Sequence, residues 1–163
     1  MKKKKYLLIS LVVIGCILIL TFVISSLNNR GTIDKLMSQL ESAINKHNIE
    51  SIVELYPDYY QNKVNNQLSQ TKIDEFYDNA IANNKIQIEI VSVSNLDLSD
   101  AKNIQDKINQ EYNTNINIQD YQLVTINYHK DFGESTFQVI KIDGEYYLYA
   151  ESYLPEPIQY FTK

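Results

Sequence analysis

Side chains able to do chemistry are few in this sequence and poorly grouped. Its two histidines, His47 and His129, lie far apart and belong to no His-x-x-x-His pattern, so no metal centre is expected. Asp97 and Asp100 resemble the start of a calcium loop, but the glycine and closing glutamate of such loops are missing. Capping a helix is their simpler role. There is no Gly-x-Ser-x-Gly elbow, and 4 glycines in the whole chain leave nothing to build a phosphate-cradling loop. The single cysteine, Cys16, excludes an intrachain disulfide. An isomerase- or dehydratase-like site would need an acid or base in a dry pocket. The groups available are Asp120, Tyr121, Tyr128 and His129 late in the chain and Tyr77 earlier, with no signature spacing. The expectation is a chain without catalytic residues, metal or cofactor.

Tyrosine is the exception, with 13 copies and no tryptophan. Tyr146, Tyr147, Tyr149 and Tyr153 cluster near the C-terminus, with Tyr160 and Phe161 beyond. In a strand, alternation sends Tyr147 and Tyr149 to one face and Tyr146 to the other. Core packing with cross-strand aromatic pairs is one outcome. The other is an exposed aromatic platform of Tyr147, Tyr149 and Tyr153, extended by Tyr59 and Tyr60, for an envelope protein or a cell-wall glycan.

The first 27 residues are of another kind. Lys2 to Lys5 precede the uncharged run Tyr6–Leu27, whose 22 residues would span roughly 33 Å as a helix, close to the ~30 Å hydrocarbon core. A helix satisfies its own backbone there. The lysines keep the N-terminus in the cytoplasm and put residues 28–163 outside. Residues 1–5 are thus a cytoplasmic basic segment and residues 6–27 a signal-anchor helix. Two cleavage readings compete. Val13-Ile14-Gly15-Cys16 fits the lipobox at which bacterial lipoproteins are cut and lipidated on the cysteine, and ordinary signal cleavage could fall near Ser25-Ser26. The apolar run continuing past Cys16 to Ile24 favours the retained anchor. All three readings place the domain outside the cytoplasm. A composition heavy in Lys, Ile, Asn and Tyr fits A/T-rich codons and a low-GC bacterial genome.

The 136 residues after the anchor suffice for one domain. Lys2–Lys5 supply +4 of a total of −5, so this part carries −9, which argues against a nucleic-acid partner. After a linker at 28–32, Thr32 offers an N-cap to a long amphipathic helix carrying Ile33, Leu36, Met37, Leu40 and Ile44. Ile49, Ile52, Val53 and Tyr56 form a second short stripe that Pro57 ends. Residues 58–70 suit a helix by Tyr60, Val64 and Leu68, and a loop by their Asn and Gln density. Thr71-Lys-Ile-Asp74 resembles a capping box opening a helix over 71–83, with Ile73, Phe76, Tyr77, Ala80 and Ile81 on its apolar face. Ile86, Ile88 and Ile90 alternate in a strand at 85–94, with a phase slip at Val91 and Val93 that suggests a bulge. Ser99 can cap a helix with Ala101, Ile104, Ile108 and Tyr112. Strands at 120–130, 135–142 and 145–151 follow, the last two joined by the tight-turn pair Asp143-Gly144. The sum is an α+β domain at 33–153, N-terminal helices on a curled antiparallel sheet of about four strands, with a tail at 154–163.

Two stretches resemble the nuclear transport factor 2-like superfamily. Glu41 to Pro57, with its Leu-Tyr-Pro end, resembles the opening helices of such domains. Phe137 to Tyr149 resembles their final hairpin, where an aromatic pair follows the Asp-Gly turn. The resemblance implies a cone-shaped fold, found both in isomerases and dehydratases and in binding modules of the bacterial envelope. The tryptophan often found after the last turn is Tyr146 or Tyr147 here, and the helix after Ser99 intrudes before the last strands. The function expected is a membrane-anchored extracytoplasmic binding or assembly module. The alternative is a small-ligand binder or enzyme using a cone pocket.

Overall fold

The computed structural model describes residues 32–78, 85–129, 133–151 and 153–163, apart from the side chains of Leu98 and His129. Residues 6–27, with Cys16, lie outside that range. Among the described residues no helix is long and apolar enough to cross a membrane. The chain divides into two units, residues 1–34 and 35–163.

Helix α1 covers residues 32–45 and, in the second unit, buries Leu36, Met37, Leu40 and Ile44 on one stripe, as their spacing predicts. It ends at His47, held in the left-handed region (φ 53°), while the Asn48 amide donates to Ala43 O at 3.0 Å. Asn48 then caps α2 (Ile49–Val53), its side chain accepting from the Ser51 amide. Pro57 stands at the N-cap of α3 (Asp58–Gln67), where its missing N–H costs nothing. The stretch that sequence left open is therefore a helix, with Tyr60 and Val64 buried one turn apart.

Helix α4 (Gln70–Phe76) starts after Ser69, so the capping box expected at Thr71 does not form. The backbone sets this start instead. The Ser69 amide is taken by Phe161 O at 2.8 Å, and the Ile73 amide reaches back to Ser69 O. Ile73, Phe76 and Tyr77 are buried as expected; Ala80 and Ile81 lie outside the described residues.

Strand β1 (Glu89–Asn95), β2 (Ile118–His129), β3 (Gly133–Ile142) and β4 (Glu145–Tyr149) form one antiparallel sheet in the order β1-β2-β3-β4. The register of β1 on β2 shifts between Ile90 and Ser92, which is the slip that Val91 announced. Residues 85–88, expected in the strand, precede it. Asp143 (φ 51°) and Gly144 (φ 87°) both take positive φ, the geometry of a two-residue turn matching the strand twist. Between β1 and β2 runs α5 (Leu98–Tyr112). Its N-cap is Asp97, whose carboxylate accepts from the Ser99 amide at 2.9 Å, rather than Ser99 itself.

Each face of the sheet has its own cover. Tyr121, Ile140, Tyr147 and Tyr149 share one face by register, and α5 packs Ala101 and Ile108 there with Ile104 and Tyr112. The other face carries Val124, Ile126, Phe137, Val139 and Leu148, none more than 1% exposed. Tyr128, also on this face, donates its hydroxyl to Glu156 of the C-terminal segment at 3.2 Å, and the Glu41 carboxylate of α1 accepts from the Ile88 amide at 2.8 Å. Residues 154–163 do not trail as a tail. Leu154, Ile158 and Phe161 are buried, and Leu68 bridges Thr162.

Candidate functional site

Burying tyrosine requires room for a large ring and a place for its hydroxyl. Between α3, α5 and β4 that requirement concentrates. Tyr112, on the last turn of α5, has its ring 5.1 Å from that of Tyr59 and 6.2 Å from that of Tyr60. Tyr149 closes the group from β4 and meets Tyr121 edge-on at 6.4 Å. The four rings of Tyr59, Tyr60, Tyr112 and Tyr149 line a hollow of about 80 Å³ with a charged rim of Lys63, Lys107, Glu111 and Glu151. Lys63 Nζ sits 5.0 Å from the centre of the Tyr60 ring, and Lys107 pairs with Glu151.

The hydroxyl of Tyr59 is buried without a hydrogen-bond partner among the described residues. Burial pushes the Tyr59 and Tyr149 phenols well up. Burial, then the Glu111 carboxylate, pushes Tyr112 up to about 12. The phenols stay protonated at neutral pH and act as neutral hydrogen-bonding groups rather than bases.

The five tyrosines proposed as an exposed platform meet different fates. Tyr60 is 5% exposed and Tyr149 7%, so neither is a surface residue. Tyr59 and Tyr147 are half-buried, and Tyr153 is 84% exposed and stands apart. The correction has a physical cause. Helix α5 lies across that face of the sheet and brings its own tyrosine, turning a platform into a walled hollow. Tyr112 was legible as part of the α5 apolar stripe, four residues after Ile108, but not as a wall of this site.

The acid/base candidates do not converge. Asp120 accepts from the Tyr146 hydroxyl and from Gln122 Nε2, both at 2.8 Å. Tyr128 is buried near the other end of β2, and its hydroxyl donates to Glu156 at 3.2 Å. Eight residues along a strand separate Asp120 from Tyr128 by roughly 27 Å, too far for one substrate. Tyr77 is elsewhere again, donating to Asn45 Oδ1 beneath the His47 ring. His47 in turn contacts Asp74 through Nδ1 at 3.0 Å, which ties the end of α1 to α4. The side chain of His129 lies outside the described residues. Among the described residues no three His, Cys, Asp or Glu side chains could hold a metal ion.

Two wider clefts are more open. One, of about 270 Å³, runs between α1, α2 and β4 past Gln39, Ser42, Lys46, Glu54 and Glu145. The other, of about 330 Å³, lies between α5 and the sheet beside Leu96, Ile104, Leu123 and Gln138. Set against known proteins, the chain matches no family model, no curated protein and no solved structure.

Proposed function

We propose that this chain is a membrane-anchored, extracytoplasmic binding module of nuclear transport factor 2-like type that performs no catalysis. On this reading residues 6–27 hold it in the membrane with the N-terminus in the cytoplasm. The observation that carries the binding role is the tyrosine-lined hollow between α3, α5 and β4. At about 80 Å³ it is well below the ~300 Å³ at which pockets for free small molecules begin, and it suits one anchoring side chain of a protein partner. Rigid aromatic walls within a charged rim are how interface hot spots are built, because the rim keeps water from the anchor. The sheet face opposite α5 is filled by Phe137, Val139 and their neighbours, which favours recognition at the surface over chemistry in a cone.

The test is site-specific photo-cross-linking of the full chain in its native membrane, with the cross-linker at Lys63 on the rim and, separately, at the exposed Tyr153. A partner adduct at 63 that Tyr112→Ala abolishes, and that survives exchange of residues 6–27 for an unrelated membrane helix, is expected. An adduct at 153 but none at 63 sinks the hollow as the binding site. Loss of the adduct on exchanging the helix moves the interaction into the membrane.

A further inference from the structure

One side of β1 has no neighbouring strand among the described residues, and its chemistry differs from that of the tyrosine hollow. Strand β1 pairs with β2 alone among the described elements, and none of its seven residues is buried. Val91 and Val93 are 51% and 39% exposed, and the strand holds neither proline nor lysine, the residues that usually blunt an edge.

The register says which backbone groups are open. The Leu96 amide donates to Tyr121 O at 2.9 Å, and Asn95 faces Gln122. In an antiparallel ladder bonded and non-bonded pairs alternate. Ser94 and Leu96 therefore turn their N–H and C=O toward β2, while Val93 and Asn95 turn theirs outward. The bulge between Ile90 and Ser92 confines the regular outward ladder to that C-terminal half. Charge selects the occupant. From Ile86 to Ala101 there is no lysine or arginine, and Glu89 starts the strand while Asp97 and Asp100 follow its end. A second copy would bring the same carboxylates and a domain charge of −9 against them.

We infer that β1 accepts an extended segment of a basic partner protein as an added antiparallel strand. Main-chain bonds from Val93 and Asn95 hold it, Val91 and Val93 pack its β-branched side chains, and Glu89 and Asp100 meet flanking lysine or arginine. This rests on the reading of the chain as a binding module but uses a surface separate from the tyrosine hollow.

The test uses the full chain in detergent micelles and the synthetic capped peptide Lys-Thr-Val-Thr-Val-Thr-Lys as probe, followed by amide hydrogen exchange. Slower exchange at Val93 and Asn95, with Ser94 and Leu96 unchanged, is expected. A peptide with proline at its centre should not give this pattern, and one with glutamates for lysines should bind more weakly. Reversing Glu89→Lys and Asp100→Lys should exchange the preference between the two charged peptides by about fivefold or more, as two exposed ion pairs allow. Val93→Pro removes an outward donor without touching the β2 ladder and should abolish the pattern. Val93→Lys serves if the proline variant does not fold. Equal binding of lysine and glutamate peptides, protection anywhere other than β1, or no protection overturns the inference. A Lys63 cross-link that persists in the Val93 variants then leaves the binding-module reading standing by itself.

Discussion

The two edges of one sheet are treated in opposite ways. At β4 the edge is closed. The Leu148 amide donates to Leu55 O at 2.8 Å, so the α2–α3 connection takes the place of a fifth strand, and Tyr146, Leu148 and Tyr149 are buried. At β1 nothing described takes the outer backbone groups, and no side chain of the strand is buried. Stability is concentrated at the closed edge and availability at the open one. The lesson is that the two edges are separable, so substitutions at β4 test the fold while those at β1 test the proposed recognition.

The largest effect expected from that contrast follows core truncation. Leu148→Ala empties a site that is 1% exposed and should cost about 2–5 kcal/mol, whereas Val93→Ala on the open edge should cost only about 0.5 kcal/mol. Urea unfolding of the two variants, compared at equal slope, checks this; equal losses would erase the distinction between the edges.

Alkali should attack the closed side next. The phenols of Tyr59, Tyr146 and Tyr149 all lie well above the ordinary tyrosine range, chiefly through burial. Their folded-state values exceed the unfolded ones, so their contribution is whole below about pH 10 and is lost as pH rises toward the folded values. Phenolate absorbance should then appear cooperatively with loss of tertiary structure. A gradual, non-cooperative rise beginning at pH 10 would mean the rings are open to solvent. Strand β1 has no tyrosine and offers alkali no such handle.

Tyr59→Phe sets stability against recognition within the hollow. Removing a buried hydroxyl that has no partner should leave the fold unchanged or raise its stability by about 1 kcal/mol. The same change should leave the Lys63 cross-link intact, since the hydroxyl is sealed from solvent and beyond a partner's reach. A destabilised variant in thermal melts would show that the hydroxyl already has a role in the fold.

The smallest effect is at the start of α5, beside the open edge. Hydrogen bonds from Ser99 hold the Asp97 carboxyl below its ordinary range. Its capping is therefore complete above the unfolded carboxylate value and is lost as pH falls through the folded one. Asp97→Asn should remove that acid dependence from amide exchange in the first turn of α5, while Asp97→Ala should fray the turn at neutral pH.

Much of the fold was legible because its signals are local. The alternation that sends Tyr147 and Tyr149 to the face opposite Tyr146 is a property of the strand itself, and the register bears it out. The slip at Val91 was visible as a change of phase, and Asp143-Gly144 as a pair that tolerates positive φ. Where neighbours compete for a local role, sequence reasoning chose less well. Asp97 took the cap expected of Ser99, as the stronger acceptor two residues earlier. Thr71 lost its cap to a backbone bond between Ser69 and Phe161, which lies 92 residues further on. The candidate site was legible only in part. Tyr59, Tyr60 and Tyr149 were named, but as a surface, and Tyr112 was missing as their fourth wall.

By itself, the sequence determined the α+β order of elements, the scarcity of cysteine, glycine and histidine, and the acidic balance. These are matters of which residues are present and how they repeat within a few positions. Only the tertiary structure decided that α5 lies over one face of the sheet, that the C-terminal segment folds back on α3 and α4, and that, among the described residues, β4 is closed while β1 is open. Each depends on which distant elements meet. Burial is set by what covers a face, and no repeat along a strand can say what will come to lie upon it.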